Sequence, residues 1–208
     1  MQEPNSEIGY FDPLEAASVL AGNLPHWRQE GVTYFVTFRL ADSIPREAVQ
    51  LWRRQQTEWF DRHLLPFSNE EKREYFDLFV RRFHRWLDKA TGVCLLRKSV
   101  HRDIVSNAMG HFDGTRYHLG HWVIMPNHVH AIITPIGDNS LSEILHSWKS
   151  FTSKKINAAR GEVGTVWQKE SFDHIVRSPE TLERIEGYIL ENPTGLPFSD
   201  YSIGFGKK

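Results

Sequence analysis

Cysteine is nearly absent: Cys94 stands alone among 208 residues, so no internal disulfide can form, and the chain suits a reducing compartment. An excess of charge of one sign is missing too. Lys and Arg number 25 against 26 Asp and Glu, a formal net charge of −1, so no global basic field announces a nucleic-acid partner. A locally basic face on a neutral protein stays open. No apolar run reaches the roughly 18 residues a membrane span requires. The opening Met1-Gln-Glu-Pro-Asn-Ser-Glu7 also lacks the basic-then-apolar order of a secretory leader. These absences predict a soluble, cytoplasmic protein with no membrane partner.

What is present is a good core former, 40% apolar and 12% aromatic. The length suits one domain, read as a polar, Pro-interrupted arm over residues 1–30 and a single domain over 31–208 carrying a helical insertion at about 45–92. Val32 to Leu40 is β-branched and aromatic and predicts a first strand. Pro45 opens a helix through about Phe60, and the capping box Ser68-Asn-Glu-Glu71 opens another whose Tyr75, Phe76, Phe79, Phe83 and Leu87 recur at helical spacing. The aromatics of this block read as packing residues; interleaved with Arg53, Arg54, Arg81, Arg82 and Arg85, they would equally suit a stacking platform for a single strand.

Further on come a short helix over about 100–109, strands over 117–125 and 128–134, a helix from the Ser140 cap to about Ala159, and extended chain at 166–168 and 172–177. A last helix starts at Ser178-Pro179-Glu180 and ends at Asn192-Pro193. The order strand, helix, strand, strand, helix, strand predicts an α+β fold, an antiparallel sheet with helices on one face.

The most informative string is Met125-Pro-Asn-His-Val-His130. Side chains two apart on a strand share a face, so His128 and His130 project together and form two-thirds of a divalent-metal site. Two inert, hydrogen-bonded histidines are the plain alternative. His118 and His121 fall on opposite faces of their strand, and His174 reads as an ordinary sheet residue or a neighbour of the site.

That string, followed in order by Trp148-Lys-Ser-Phe-Thr152, Gly164-Thr-Val-Trp-Gln168 and Tyr188-Ile-Leu-Glu-Asn-Pro193, resembles the REP-associated tyrosine transposases, a branch of the single-tyrosine HUH (histidine-hydrophobe-histidine) transposases. The resemblance runs from about Gly31 to Pro193 and implies a ferredoxin-like core. It further implies a metal-dependent enzyme that nicks and rejoins single-stranded DNA at hairpin repeats through a 5′-phosphotyrosine. Tyr188 would be the nucleophile. His128, His130 and Asn192 would hold Mg²⁺ or Mn²⁺. Asn192 could instead simply end its helix, and Glu191 competes with it as a ligand. On the helix after Ser140, Lys149, Ser153, Lys154, Asn157 and Arg160 would contact single-stranded or hairpin DNA, with a plain solvated face as the alternative. A homodimer is possible within the family. Two rival functions stay open: a non-catalytic DNA-binding protein of repeat elements, and a metal-dependent phosphoesterase that uses water in place of Tyr188.

Overall fold

Two short strands, β1 (Ser18–Leu20) and β2 (His26–Arg28), pair antiparallel ahead of the main sheet in the computed structural model, which describes residues 8–11, 18–20, 26–63 and 67–207. Residues 1–7, 12–17 and 21–25 of the arm expected over 1–30 lie outside the described residues. The main sheet comprises β3 (Tyr34–Arg39), β4 (Tyr117–Ile124), β5 (His128–Pro135), β6 (Phe172–Ile175) and β7 (Ser202–Phe205). Its order is β6-β3-β5-β4-β7 with every pair antiparallel. Without β7, the four strands follow the ferredoxin-like order fourth, first, third, second, which bears out the expected fold.

Between β3 and β4 the chain forms α1 (Arg46–Arg62), α2 (Asn69–Tyr75), a π turn (Phe76–Arg81), α3 (Arg82–Asp88) and α4 (Ser99–His111). Helix α5 (Leu141–Arg160) follows β5, and α6 (Pro179–Glu191) follows β6. Strand alternation divides the packing cleanly. Tyr34, Val36 and Phe38 on β3, with Val129, Ala131 and Ile133 on β5, form one core with Val105 and Met109 of α4 and Ile144, Trp148 and Ile156 of α5. Phe35, Val123 and Ile132 point to the other face, where they meet Leu182 and Ile189 of α6. The two ferredoxin-like helices thus share one face, and α6 covers part of the other.

The polar atoms of the larger core are matched. Trp148 Nε1 donates to Tyr117 Oη at 2.9 Å, which in turn donates to the Met109 carbonyl at 2.7 Å. Trp52, Trp59 and Phe79 make a separate small core that holds α1 against the α2–α3 run. Buried Arg102 fastens the C-terminal strand: it donates to the carbonyls of Leu96, Arg97 and Ser199 and to Ser202 Oγ. Among the described residues no helix is long and apolar enough to cross a membrane.

Candidate active site

His128 and His130 lie on the α6 face of β5 and are fully buried. The proton position of His128 follows from a neutral neighbour. Asn127 Nδ2 donates to the Thr91 carbonyl at 3.1 Å, which turns Asn127 Oδ1 toward His128 Nδ1, 2.7 Å away. An amide oxygen only accepts, so His128 carries its proton on Nδ1 and leaves a bare lone pair on Nε2. Thr37, opposite His130 in the β3–β5 register, brings Oγ1 to 2.8 Å from His130 Nδ1. A hydroxyl both donates and accepts: when it donates, His130 Nε2–H bonds to His128 Nε2, and when it accepts, as metal binding requires, His130 adopts the same tautomer as His128. The two Nε2 atoms then face each other at 3.0 Å. Lone pairs at that distance repel unless a cation or a shared proton stands between them. Two nitrogens bound at right angles to one cation at about 2.1 Å stand about 3.0 Å apart, so the spacing fits a shared metal.

Burial, with the His84 imidazole adding to it, holds His128 down to about 3. Burial, then His128 and His84, holds His130 well below the histidine range. Both rings are therefore neutral at pH 7, with lone pairs free for a ligand.

Ser178 caps α6 by accepting from Thr181 N, and Pro179 occupies its first turn. Leu182 and Ile189 anchor the helix, which places Tyr188 Oη 3.2 Å from His130 Nε2. Phe35 stacks on His130 at 5.3 Å and meets Tyr188 edge-on at 6.0 Å, fixing both rings. A Cβ added at Gly187 would meet nothing within 4 Å, so the backbone beside Tyr188 stays open. Burial, and then the Asp88 carboxylate, raise the Tyr188 phenol far above its ordinary value.

Asp88, at the end of α3, brings Oδ1 to 3.9 Å from His128 Nε2, and it forms with His128 and His130 a cluster whose ligand atoms lie within 4.8 Å of one another. Asn192 Nδ2 donates to Asp88 Oδ1 at 3.2 Å, while Asn192 Oδ1 is buried with no partner. Burial raises the Asp88 carboxyl, opposed by the Asn192 bond. Two imidazole lone pairs, a carboxylate and an orphaned amide oxygen make a donor set that fits a divalent cation. Glu191 lines the adjoining pocket of about 390 Å³ with Asp88, Tyr188 and Asn192, outside the cluster.

The structure thus brings Tyr188, His128, His130 and Asn192 together. The residues expected to touch DNA lie elsewhere, on α5 beyond the sheet. There Lys149 Nζ donates to the carbonyls of Gln168 and Lys169, and burial lowers its pKa to about 8. Asn157 Nδ2 donates to the Gly164 carbonyl, Arg160 pairs with Glu162, Ser153 is half-buried and Lys154 is exposed. Sequence reasoning missed Asp88 and His84, whose ring stacks 5.8 Å from Tyr188 and lies 5.4 Å from His130. Thr37 had a signal: it alternates with the core-facing residues of β3.

Residues 95–192 match the family model "Transposase IS200 like", a span that holds both histidines, Tyr188 and Asn192. This segment, a little under half of the chain, is similar to IS200-like transposases. The match bears out the family resemblance and leaves Asp88 and His84 outside it. The solved structure of "the REP associates tyrosine transposase bound to a REP hairpin" aligns with 83% of this chain and 73% of its own at 20% identity, with a TM-score of 0.44. No curated protein matches the chain.

Proposed function

We propose that the chain is a single-strand DNA transposase that nicks and rejoins at hairpin repeats, using Tyr188 as nucleophile and a divalent cation, Mg²⁺ or Mn²⁺. The observation that carries this reading is the meeting of Tyr188 Oη with His130 Nε2 at 3.2 Å, within one chain. In the cleavage step Oη attacks the scissile phosphorus. The Oη–P bond forms, the P–O3′ bond breaks, the phenolic proton leaves and the departing 3′ oxygen takes one up. Rejoining reverses the step when a 3′-hydroxyl attacks the phosphotyrosine. When bound, the cation supplies polarisation of the phosphoryl oxygen. His128 and His130 hold it from a rigid strand, and Asp88 and Asn192 offer the oxygen ligands. Helix α5 is assigned the hairpin, through Ser153, Lys154, Asn157 and Arg160, with Lys149 bracing the loop beside it.

Tyr188→Phe should abolish the covalent protein–DNA adduct on denaturing gels while hairpin affinity stays within about twofold, since the phenyl ring preserves the packing. An adduct surviving in that variant would refute the nucleophile. His128→Ala with His130→Ala should remove cleavage and its metal dependence together; undiminished cleavage would exclude the pair as ligands. The strongly raised Tyr188 pKa supports a second reading, a phosphoesterase that activates water. That enzyme would release free product without an adduct in the same assay.

A further inference from the structure

Beside the candidate site runs a groove of about 690 Å³ that the transposase segment does not build alone. One wall is the α2–α3 run of the insertion and the other is α6 with β6. Five arginines, Arg73, Arg81, Arg85, Arg177 and Arg184, line it against two aspartates, Asp77 and Asp88. On a chain whose formal charge is −1, this concentrates positive charge in one cleft. Neither Arg73 nor Arg85 pairs with a carboxylate among the described residues.

Aromatic faces stand between these charges. Phe76 is 44% exposed, unlike Trp52, Trp59 and Phe79 of the same block, and Phe172 lines the groove from β6. The π turn explains how Phe76 comes to lie there. Residues five apart diverge by about 140° on an α-helix, at 100° per residue. The wider π turn returns them to one side, so the Arg81 guanidinium lies 5.8 Å from the Phe76 ring centroid. Tyr188 and Asp88 line both this groove and the adjoining pocket that holds Glu191 and Asn192.

We propose that this groove holds the unpaired strand flanking the hairpin and leads its phosphate to Tyr188. The arginines grip successive phosphates, and Phe76 and Phe172 stack on bases, so the 45–92 insertion is a single-strand clamp. The proposal rests on the transposase reading and adds the substrate contact to it. A duplex is the poorer occupant, since its bases offer no free face to the two rings.

The test compares a DNA hairpin with the same hairpin bearing an unpaired flank of about 12 nucleotides, a length within the usual single-strand site size. Binding to the full chain is followed by fluorescence anisotropy in EDTA, so that no cleavage intervenes. The flank should tighten wild-type binding by about tenfold or more, as stacked bases and phosphate contacts add up. In Arg85→Ala with Arg184→Ala that gain should fall below about threefold, and the salt slope should shrink by about 1.4 for two lost single-strand contacts. Bare-hairpin affinity and melting temperature should stay unchanged, because both side chains are exposed. A double variant that keeps the full gain, or a wild type that binds the hairpin but gains nothing from the flank, overturns the clamp. A wild type that binds neither DNA would overturn the underlying transposase reading as well.

Discussion

Two neutral side chains, Asn127 and Thr37, aim the lone pairs of His128 and His130 at one point. Removing either aim, by Asn127→Ala or Thr37→Val, should weaken Mn²⁺ binding about 10- to 100-fold in calorimetric titration. Unchanged affinity would mean that the rings need no such help. Asp88→Ala should cost at least about tenfold on the same measure, as expected for loss of a charged ligand. If only Asn192→Ala did so, the amide would be the oxygen ligand. Legibility at this scale follows from sequence distance. The His-x-His pair could be read because strand periodicity alone puts both rings on one side. Asp88 and His84 could not, because their helix looks like any amphipathic helix and reaches the imidazoles only through long-range packing.

At the scale of elements, local rules served well wherever a cap or a period announced itself. Ser68 and Glu71 exchange the two bonds of a capping box, as do Ser140 and Glu143. The helix expected after Ser68 nonetheless contains a π turn, which no propensity rule signals. Strand β7 was unreadable for another reason. Ser202-Ile-Gly-Phe205 is short, and it is held by β4 and by Arg102, about 100 positions earlier. Helix α6 depends on few anchors. Ile189→Ala, at a fully buried position, should destabilise the fold by about 2–5 kcal/mol in chemical denaturation. It should also loosen Tyr188 and so reduce adduct formation more than hairpin binding. Equal losses in both would show that α6 moves as a rigid piece with the rest of the sheet.

The molecule as a whole should be acid-sensitive. Burial first lowers His84 to about 4, His128 to about 3 and His174 to about 4. Each ring binds its proton more weakly folded than unfolded, so the unfolded chain takes up more protons below about pH 6.5. Stability is therefore full above that value and lost as pH falls toward 4. In EDTA the melting temperature should drop on the order of 5–10 °C between pH 7 and pH 4.5. His84→Gln and His174→Gln should flatten that slope, and a slope unaltered in both would assign the sensitivity to carboxylates instead.

A constellation gathered from a single polypeptide also makes a claim about genetics. First-strand cleavage should rise linearly with enzyme concentration, and a mixture of the phenol-less and imidazole-less proteins should remain dead, since neither can lend the other its missing half. Restored cutting in such a mixture would reveal helix exchange between molecules.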